Sequence, residues 1–388
     1  MIPFPLLSPT TGQELEADTP HSLKDGTGAR WPVVDGIPFL RVGRDELVGQ
    51  ALAALDRGRT EEALVALLPD QDDWWQGERP APERLARLVR DRESLSLREA
   101  LDHLAFGPVA DYFVNRWTDP TFLAGLALLE AHWNSPRCVF ELACGIGHYL
   151  RELQGRGFVV SGGDVVFAKL WVARHWVLGP KPQLVCFDAA AGWPIVEAPV
   201  DLVMCHDAFY FLEPKDEILA CMRQTAGDDG WIAVSHIHNR ENPGFSAGSA
   251  MTAGEVEELF PDALVYDDAE LTRALLEARA PVPGHEPALN GAEAFSVIAG
   301  PGCRPAPRAV KDGLALPRAG AVLRRNPLYQ PVGGDESVIR WPSERYEREY
   351  GARATYPLRS HAPQEAVAGP EVEAMARRRE LVDLPERW

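Results

Sequence analysis

The chain has few cysteines and no pair of them at metal-binding spacing. Its 388 residues contain six, and no C-x-x-C motif occurs. Most lie in apolar, strand-like or glycine-turn contexts, so we expect reduced packing residues, which suits the cytoplasm. A structural zinc site is therefore not expected. The six are Cys138, Cys144, Cys186, Cys205, Cys221 and Cys303.

Long apolar runs and positive charge are also scarce. No stretch approaches the ~18 apolar residues of a membrane span, and the N-terminus lacks the basic start and apolar core of a signal peptide. Lys and Arg total 39 against 57 Asp and Glu, a net charge of −18. Such a charge repels phosphate backbones and anionic lipid, so neither nucleic acid nor membrane is expected as a partner. The compartment we predict is the cytoplasm.

Composition and periodicity divide the chain into four parts. Residues 1–43 are rich in Pro, Gly and Thr and predict a small β module, with a hairpin turn at Asp35-Gly36. Residues 44–135 show helical spacing and predict a helical connector and cap. There, Trp74 and Trp75 are expected to pack in the core or between domains. Residues 136–300 predict a catalytic domain, and the Pro/Arg-rich residues 301–388 predict an extension of unknown role.

The third part alternates strand-like and helix-like segments. Apolar runs with little polar alternation, interleaved with helices, predict a mostly parallel α/β sheet covered on both faces. The predicted strands are RCVFELAC, FVVSGGD, QLVCFD, VDLVMCHD, GWIAVSHIH, ALVYDD and EAFSVIAG.

A glycine turn follows the first of these strands, in CVFELACGIGHYL. No P-loop lysine follows it, and the third glycine of a dinucleotide fingerprint is missing after Gly145 and Gly147. Asp164, nineteen residues after Gly145, closes the next strand. A carboxylate there can accept both ribose hydroxyls of an adenosine, which NAD and S-adenosylmethionine (SAM) share. The turn alone leaves both ligands open.

Three motifs in order separate these ligands. Glu141 opens E-L-A-C-G-I-G, Asp164 ends the second strand, and Asp188 in FDAA follows the third. This combination, over about 160 residues, resembles the class I SAM-dependent methyltransferases. The resemblance implies a Rossmann-like sheet with helices on both faces and SAM as the cofactor.

The resemblance also implies roles for single residues. Gly145 and Gly147 would form the turn under the amino-acid half of SAM, where a Cβ would block the ligand. Glu141 would support that turn or hold the methionine amine, and Asp164 would hold the ribose. Asp188, with the backbone of Ala189, would contact adenine. The predicted cofactor set also includes Ala143, Val165 and His206.

One helix offers a further pair. In DYFVNRW, Tyr112 and Arg116 stand at i, i+4 on one face and would clamp the SAM carboxylate. A structural Tyr/Arg pair is the equal alternative.

The N-terminal module has a resemblance of its own. LLSPTTGQEL and RWPVVDGIPFLR keep the frame of the short zinc-ribbon-like domains that accompany or activate some methyltransferases. Ser8 and Thr11 stand where the first thiolates would be, and Lys24 stands near the third. The resemblance, over about forty residues, therefore implies a ribbon without its metal.

Methyl transfer is an in-line displacement, so positioning dominates, and a hydroxyl or acidic carbon also needs a proton acceptor. Sites in open parallel sheets lie beyond the carboxyl ends of the strands. The predicted catalytic residues there are His206, Asp207, His236 and His238. His206 is favoured, since the position after the fourth strand faces donor and acceptor in the resembling family. A divalent ion is another use of the histidines, although no metal ligand is assigned.

The acceptor is the least defined part. We predict a SAM-dependent methyltransferase acting on a small molecule, with Tyr210 and Phe211 walling the pocket and residues 240–261 as a lid. The alternatives are an RNA- or protein-modifying methyltransferase and a non-catalytic SAM-binding scaffold. The extension would cap the pocket, mediate dimerisation or pack on the sheet. A homodimer is one option left open.

Overall fold

The computed structural model describes residues 4–133, 135–195, 200–242, 244, 248–301 and 306–388. It begins with a four-stranded antiparallel sheet. Asp35 and Gly36 connect its last two strands with φ angles of 49° and 74°, so the predicted Asp-Gly turn is confirmed. The strands are β1 (Glu16–Thr19), β2 (Ser22–Lys24), β3 (Arg30–Val34) and β4 (Ile37–Pro38).

The connector is helical, as predicted. Side chains set several helix starts: Ser96 and Glu99 form a capping box, and Asp119 accepts from the backbone N–H of Phe122. The helices are α1 (Asp45–Leu55), α2 (Thr60–Leu67), α3 (Pro82–Asp91), α4 (Leu97–His103), α5 (Pro108–Asn115) and α6 (Pro120–Ala131).

The central sheet has seven strands in the order β10-β11-β9-β8-β5-β6-β7. Pairs among β5 to β9 are parallel, and β11 runs antiparallel to both of its neighbours. The predicted mostly parallel sheet is confirmed. The strands are β5 (Cys138–Leu142), β6 (Val159–Asp164), β7 (Gln183–Cys186), β8 (Leu202–His206), β9 (Trp231–His238), β10 (Leu264–Asp267) and β11 (Ala294–Ala299).

Helices cover both faces of this sheet, each face burying its own apolar core. The first core joins α6, α7, α8 and α11 with the connector helices, and the second joins α9 and α10. The N-terminal strands contribute residues to both cores. The helices of this part are α7 (His148–Gln154), α8 (Phe167–Val172), α9 (Lys215–Ala226), α10 (Ala253–Leu259) and α11 (Asp268–Leu276), and a π-helical segment, Ala173–Val177, continues α8.

The N-terminal sheet adjoins the β7 edge of the central sheet. The backbone N–H of Leu40 donates to the carbonyl of Cys186 at 2.7 Å. Asp35 accepts from the Trp171 indole N–H at 2.8 Å and lies 3.0 Å from Nε2 of His175. Main-chain and side-chain bonds therefore hold the two sheets together.

Asp25 of the N-terminal module is a carboxylate with several hydrogen bonds, one of them from Thr11. Thr11 donates to Asp25 at 2.9 Å, and the Thr27 hydroxyl and the Ala29 N–H also donate to it. Hydrogen bonds, that from Thr27 foremost, hold the pKa of Asp25 well below its usual range. The small sheet is present, but its relation to zinc ribbons stays a prediction.

The C-terminal residues form two three-stranded sheets, β16-β12-β17 and β13-β14-β15, and they pack on the rest of the chain. Arg151 pairs with Asp383 at 2.8 Å, and the Trp388 indole donates to Val114 O at 2.7 Å. The strands are β12 (Val322–Arg325), β13 (Tyr329–Gly333), β14 (Glu336–Ile339), β15 (Arg359–Ser360), β16 (Glu365–Val367) and β17 (Leu381–Val382), with α12 (Glu344–Tyr350) and α13 (Glu373–Arg377).

Two expectations from composition are also answered. Five cysteines that the structure describes are free thiols, buried or half-buried, as predicted, while Cys303 lies outside the described residues. Within the described ranges, no helix combines the length and the apolar character that crossing a bilayer requires.

Candidate functional site

The glycine turn links β5 to α7 in a left-handed backbone path. Ala143, Gly145 and Gly147 have φ angles of 54°, 55° and 83°, a region that glycine enters without steric cost. A Cβ on Gly145 would lie 3.3 Å from a ring carbon of Phe113, and one on Gly147 would lie 2.7 Å from Leu178. The turn therefore needs both glycines, because α5 and the end of the α8 region approach it closely.

Asp164 stabilises the glycine turn through hydrogen bonds from backbone N–H groups. Its two carboxylate oxygens accept backbone N–H bonds from Gly145 and Val166, each at 2.9 Å. The ammonium of Lys169 lies 3.7 Å from it and equally far from Asp72. A carboxylate has about four lone-pair positions, so Asp164 keeps acceptor capacity at the end of β6.

Two buried polar atoms beside this turn, Oε2 of Glu141 and Nε2 of His206, have no hydrogen-bond partner in the part of the chain that the structure describes. Burial raises the pKa of Glu141 well above its usual value, although Arg116 opposes this. Burial and then Arg116 lower the pKa of His206 to about 3. His206 stacks on Tyr149 with ring centroids 3.9 Å apart, and its Nδ1 lies 2.7 Å from Ser235 Oγ.

The remaining predicted donor residues lie at the ends of β6 and β7. The Asp188 carboxylate accepts from Ala190 N–H at 3.0 Å, and Ala189 is partly buried against the second core. The Val165 carbonyl accepts from the Cys186 thiol at 3.5 Å. The fold therefore brings Glu141, Asp164 and Asp188 to one edge of the sheet, as the motif spacing predicted.

Tyr112 and Arg116 converge on a residue of the predicted catalytic set. The Tyr112 hydroxyl donates to Asp207 Oδ2 at 2.8 Å, and Arg116 Nη1 lies 3.0 Å from the same oxygen. The guanidinium also pairs with Asp119 at 3.2 Å and covers the Tyr112 ring at 4.8 Å. These contacts are those of the structural pair that the sequence left as the alternative. A clamp on the SAM carboxylate stays a prediction.

Asp207 follows β8 and is the centre of this network. Tyr210 donates to its Oδ1 at 2.9 Å, and its own backbone has a φ of 53°. Burial raises the pKa of Asp207, but Arg116, His236 and His238 outweigh burial, so the pKa is lowered. The carboxylate therefore stays ionised in a buried place.

A β-bulge in β9 directs His236 toward Asp207. Val234 pairs with Val297 and Ile237 with Phe295, so Ser235 and His236 together face only Ser296. His236 takes a φ of 60°, which is uncommon for a residue with a Cβ. Because a bulge adds one residue, it breaks the alternation of faces along a strand.

His236 lies between two carboxylates. Its Nδ1 lies 2.6 Å from Asp268 Oδ2, and its Nε2 lies 3.9 Å from Asp207 Oδ1. Ser296 donates to the other oxygen of Asp268 at 2.5 Å. Burial lowers the pKa of His236, but Asp207 and Asp268 overcome it, so the pKa is raised.

His238 completes the group. One ligand atom each from Asp207, His236 and His238 lie within 4.8 Å of one another. The His238 ring contacts Tyr210 and His236 at centroid distances of 4.4 and 4.7 Å. Its Nδ1 is buried, and none of the described residues forms a hydrogen bond with it. Burial and then His236 lower the pKa of His238 to about 4.

The C-terminal residues cover this cluster. Tyr112 packs against the aromatic core that contains Tyr346 and Tyr350 of α12. Glu349 acts electrostatically on Asp207 and His236, and Arg353 acts on both cluster histidines. Arg353 is itself paired with Glu293 at 3.1 Å. The far end of the sequence therefore belongs to the surroundings of the site.

The aromatic residues predicted near the pocket and in the connector differ in their burial. Phe211 lies against Trp74, with ring centroids 5.5 Å apart, and Trp74 is 51% exposed. Trp74 therefore lies outside the core and packs between the connector and the sheet domain, one of the two predicted arrangements, and Trp75 packs on Phe106 at 6.0 Å. The proposed lid includes α10, while its residues 243 and 245–247 lie outside the described residues.

Sequence reasoning missed several residues around the cluster. Asp268 had a usable signal, since it follows Asp267 directly after a predicted strand, where carboxyl ends carry functional groups. Glu349 and Arg353 had none, because their part of the chain matched no pattern. Ser296 was hidden, because only the bulge brings it to His236.

The residues present fit SAM. The buried Oε2 of Glu141 can accept from an amine, Asp164 has unused acceptor capacity, and the left-handed glycine turn brings backbone close to a ligand. When bound, SAM supplies an electrophilic methyl group on a sulfonium. Glu141, Gly145, Gly147, Asp164 and Asp188 are the residues that would hold it.

Comparison with known proteins agrees with this chemistry. Residues 139–230 match the family described as "Methyltransferase domain". No curated protein sequence matches the chain.

Several solved structures are similar to part of this chain at low identity. Phosphoethanolamine N-methyltransferase 2 of Haemonchus contortus, in complex with S-adenosyl-L-methionine, is 17% identical over 47% of this chain and 49% of its own, with a TM-score of 0.36. The TehB-like SAM-dependent methyltransferase of Corynebacterium glutamicum is 17% identical over 45% of this chain and 85% of its own, with a TM-score of 0.34. The plantazolicin methyltransferase BpumL, in complex with SAH, is 16% identical over 47% of this chain and 82% of its own, with a TM-score of 0.33.

This chain spans about half the length of the Haemonchus contortus enzyme. The matched residues belong to the part of the chain that forms the seven-stranded sheet, and they include the glycine turn after its first strand. The strand order of the sheet confirms the predicted mostly parallel α/β fold, and the family match agrees with the predicted methyltransferase class. Residues 139–230 of this chain therefore match a methyltransferase domain.

Proposed function

We propose that the whole protein methylates a small-molecule acceptor. The observation that carries this is the burial of the polar cluster at the ends of β8 and β9. His236 and His238 are about 96% and 92% buried. Tyr112 of α5 donates to Asp207 and packs against the aromatic core that contains Tyr346 and Tyr350 of α12. A long nucleic acid or a folded protein surface would have to displace these covers, whereas a small molecule needs only a gap between them.

Charge supports the same choice. The net charge of −18 disfavours an RNA substrate. The cluster itself balances Asp207 and Asp268 against Arg116 and a histidine whose pKa is raised. An acceptor with hydroxyl or amine groups finds hydrogen-bond acceptors and donors there without needing a large charge of its own.

The chain's residues then have distinct tasks. Glu141, Asp164 and the glycine turn hold the donor, and Tyr112 with Arg116 fixes Asp207. The ionised Asp207 lies where an acceptor's proton can be received, as a hydroxyl acceptor requires. Tyr350 and its aromatic neighbours exclude water. His206 is held by Ser235 and Tyr149 with one ring nitrogen free for the donor or the acceptor.

Calorimetric titration with SAM, on the intact protein and on Asp164→Ala, tests the donor. Transfer of a labelled methyl group from SAM to separate small-molecule, RNA and protein fractions of a cell extract tests the acceptor. We expect label in the small-molecule fraction only. Label in RNA or protein would overturn the acceptor class, and tight SAM binding without any transfer would favour the scaffold.

A further inference from the structure

Five observations at the carboxyl ends of β8 and β9 point to a ligand that the methyltransferase reaction does not itself require. They concern Asp207, His236 and His238, called the His-His-Asp cluster below. They are the ligand chemistry of the cluster, the distances within it, its outer contacts, a buried nitrogen of His238 and the strain of its backbone.

The ligand set is two imidazoles and one carboxylate, with one atom of each within 4.8 Å of the others. Three such protein ligands with open positions are typical of catalytic zinc and of non-haem iron(II) sites. Two ligands that each stand about 2.1 Å from one ion lie about 3 to 4 Å apart. Nε2 of His236 and Oδ1 of Asp207, 3.9 Å apart, are within that range, and they are too far apart for a hydrogen bond.

The outer contacts match those of a metal-bound histidine. Such a histidine usually donates its second ring N–H to a carboxylate, which fixes the tautomer. Nδ1 of His236 lies 2.6 Å from Asp268, and Ser296 donates to Asp268 in turn. Nε2 of His236 is thereby left as the nitrogen facing Asp207.

His238 supplies an observation that does not depend on the others. It is about 92% buried, and its Nδ1 has no hydrogen-bond partner among the described residues. A buried polar group without a partner costs free energy, so its retention next to another histidine and an acid needs a reason. A shared ligand would provide one.

Backbone strain occurs at the same place. Asp207 and His236 both have φ near +55°, at 53° and 60°. Non-glycine residues in this region cost about 1–3 kcal/mol and cluster at functional sites. The turn after β8 and the bulge in β9 therefore keep Asp207 and His236 in a backbone conformation that is unfavourable in free energy.

Arg116 does not prevent a cation from binding here. It and Tyr112 take Oδ2 of Asp207, whereas His236 faces Oδ1. Tyr210 donates to Oδ1 at 2.9 Å, but a carboxylate oxygen has two lone pairs and keeps one for an ion.

We infer that the His-His-Asp cluster binds one divalent transition-metal cation of the kind that zinc and iron(II) represent. Asp268 would accept a hydrogen bond from the ring nitrogen of His236 that does not face the metal. Three protein ligands leave coordination positions for an oxygen of the acceptor. This second point rests on the proposed function, whereas metal binding itself does not.

The test is binding of Zn²⁺ and of Co²⁺, a coloured substitute, to full-length protein treated with a chelator and then freed of it. We expect one ion per chain, with absorption bands for Co²⁺. His238→Phe keeps an aromatic ring at this position and removes a nitrogen that has no partner among the described residues. We therefore expect the variant to fold and its affinity for the metal ion to fall at least 100-fold. Asp268→Asn should lose about 10- to 100-fold. The exposed His285→Ala is the matched control and should bind normally.

Equal binding by the intact protein and His238→Phe, or no ion bound at all, would overturn the inference and leave His236 and Asp268 as a hydrogen-bonded pair alone. SAM titration on the same samples separates the two proposals. SAM binding without metal binding sinks only the metal site. Metal binding without SAM binding or methyl transfer sinks only the proposed function.

Discussion

Nδ1 of His236 lies 2.6 Å from Oδ2 of Asp268, and both side chains are about 95% buried. The two residues belong to different elements, a bulged strand and the first turn of α11. Their contact fixes the histidine ring, and through it the distance to Asp207. The order of this part of the site therefore depends on packing between α11 and the sheet.

Removing Asp268 should destabilise the fold. Asp268→Ala leaves His236 buried without its carboxylate, and breaking such a buried pair costs about 3–5 kcal/mol. Urea denaturation of metal-free protein measures the free energy of unfolding. Arg59→Ala is the control, since its pair with Glu62 is more than half exposed and should cost no more than about 1 kcal/mol. A similar loss in both variants would contradict the importance of the buried pair.

Asp164→Ala should abolish SAM binding, because the side chain both supports the turn and would receive the ribose. The control is Asp201→Ala. Asp201 also accepts two backbone N–H bonds, from Arg137 and Cys138 at 2.7 and 2.8 Å, but at the amino-terminal end of β8. Calorimetry should find SAM affinity within about threefold of the parent in Asp201→Ala. Loss of binding in both would show a general loss of fold instead.

Gly147→Ala should cost more than Gly157→Ala. Both glycines have positive φ, so each alanine costs about 1–2 kcal/mol for the backbone. Only the Cβ on residue 147 meets a neighbour, Leu178 at 2.7 Å, which should add about 1 kcal/mol or more. Thermal unfolding of both variants, with Leu178→Ala and the Gly147→Ala/Leu178→Ala double variant, measures the coupling. Strict additivity in that cycle would argue against the clash.

His132 should make stability fall with acid. Burial, and to a lesser degree Arg308, lowers its pKa to about 4, and its Nε2 lies 2.7 Å from the Tyr266 hydroxyl. Since the folded pKa lies below the unfolded value of about 6.5, this contribution is present above pH 6.5 and is lost as pH falls toward 4. His132→Gln should flatten the stability profile between pH 6.5 and 4 by roughly 1 kcal/mol per pH unit. An unchanged slope would refute this.

Tyr350→Ala should lower the catalytic efficiency toward the acceptor and leave the affinity for SAM unchanged. The ring packs in the aromatic core that reaches Tyr112, on the acceptor side of Asp207. We expect kcat/KM for the acceptor to fall about tenfold, roughly 1.4 kcal/mol, with the Kd of SAM unchanged. The exposed Leu358→Ala in the same extension is the control. A parallel loss of SAM affinity in Tyr350→Ala would place the ring at the donor instead.

The sequence by itself determined the sheet and the donor edge. Apolar strands with helices between them can bury both faces only as a parallel α/β layer, so the elements from β5 to β11 follow from local pattern. The glycine turn, Asp164 and Asp188 meet because the ends of neighbouring parallel strands share one edge. These are consequences of short-range spacing, which a single sequence displays.

Tertiary structure alone decided the acceptor side. The bulge that orients His236 adds one residue to a strand whose pattern looks continuous. Asp268, Ser296 and the α12 residues reach the cluster from 30 or more positions away, and hydrogen bonds between such distant residues leave no periodic trace. Local propensity governs which elements form. Which buried polar groups face one another is settled only when those elements pack, because each must find a partner once water is removed.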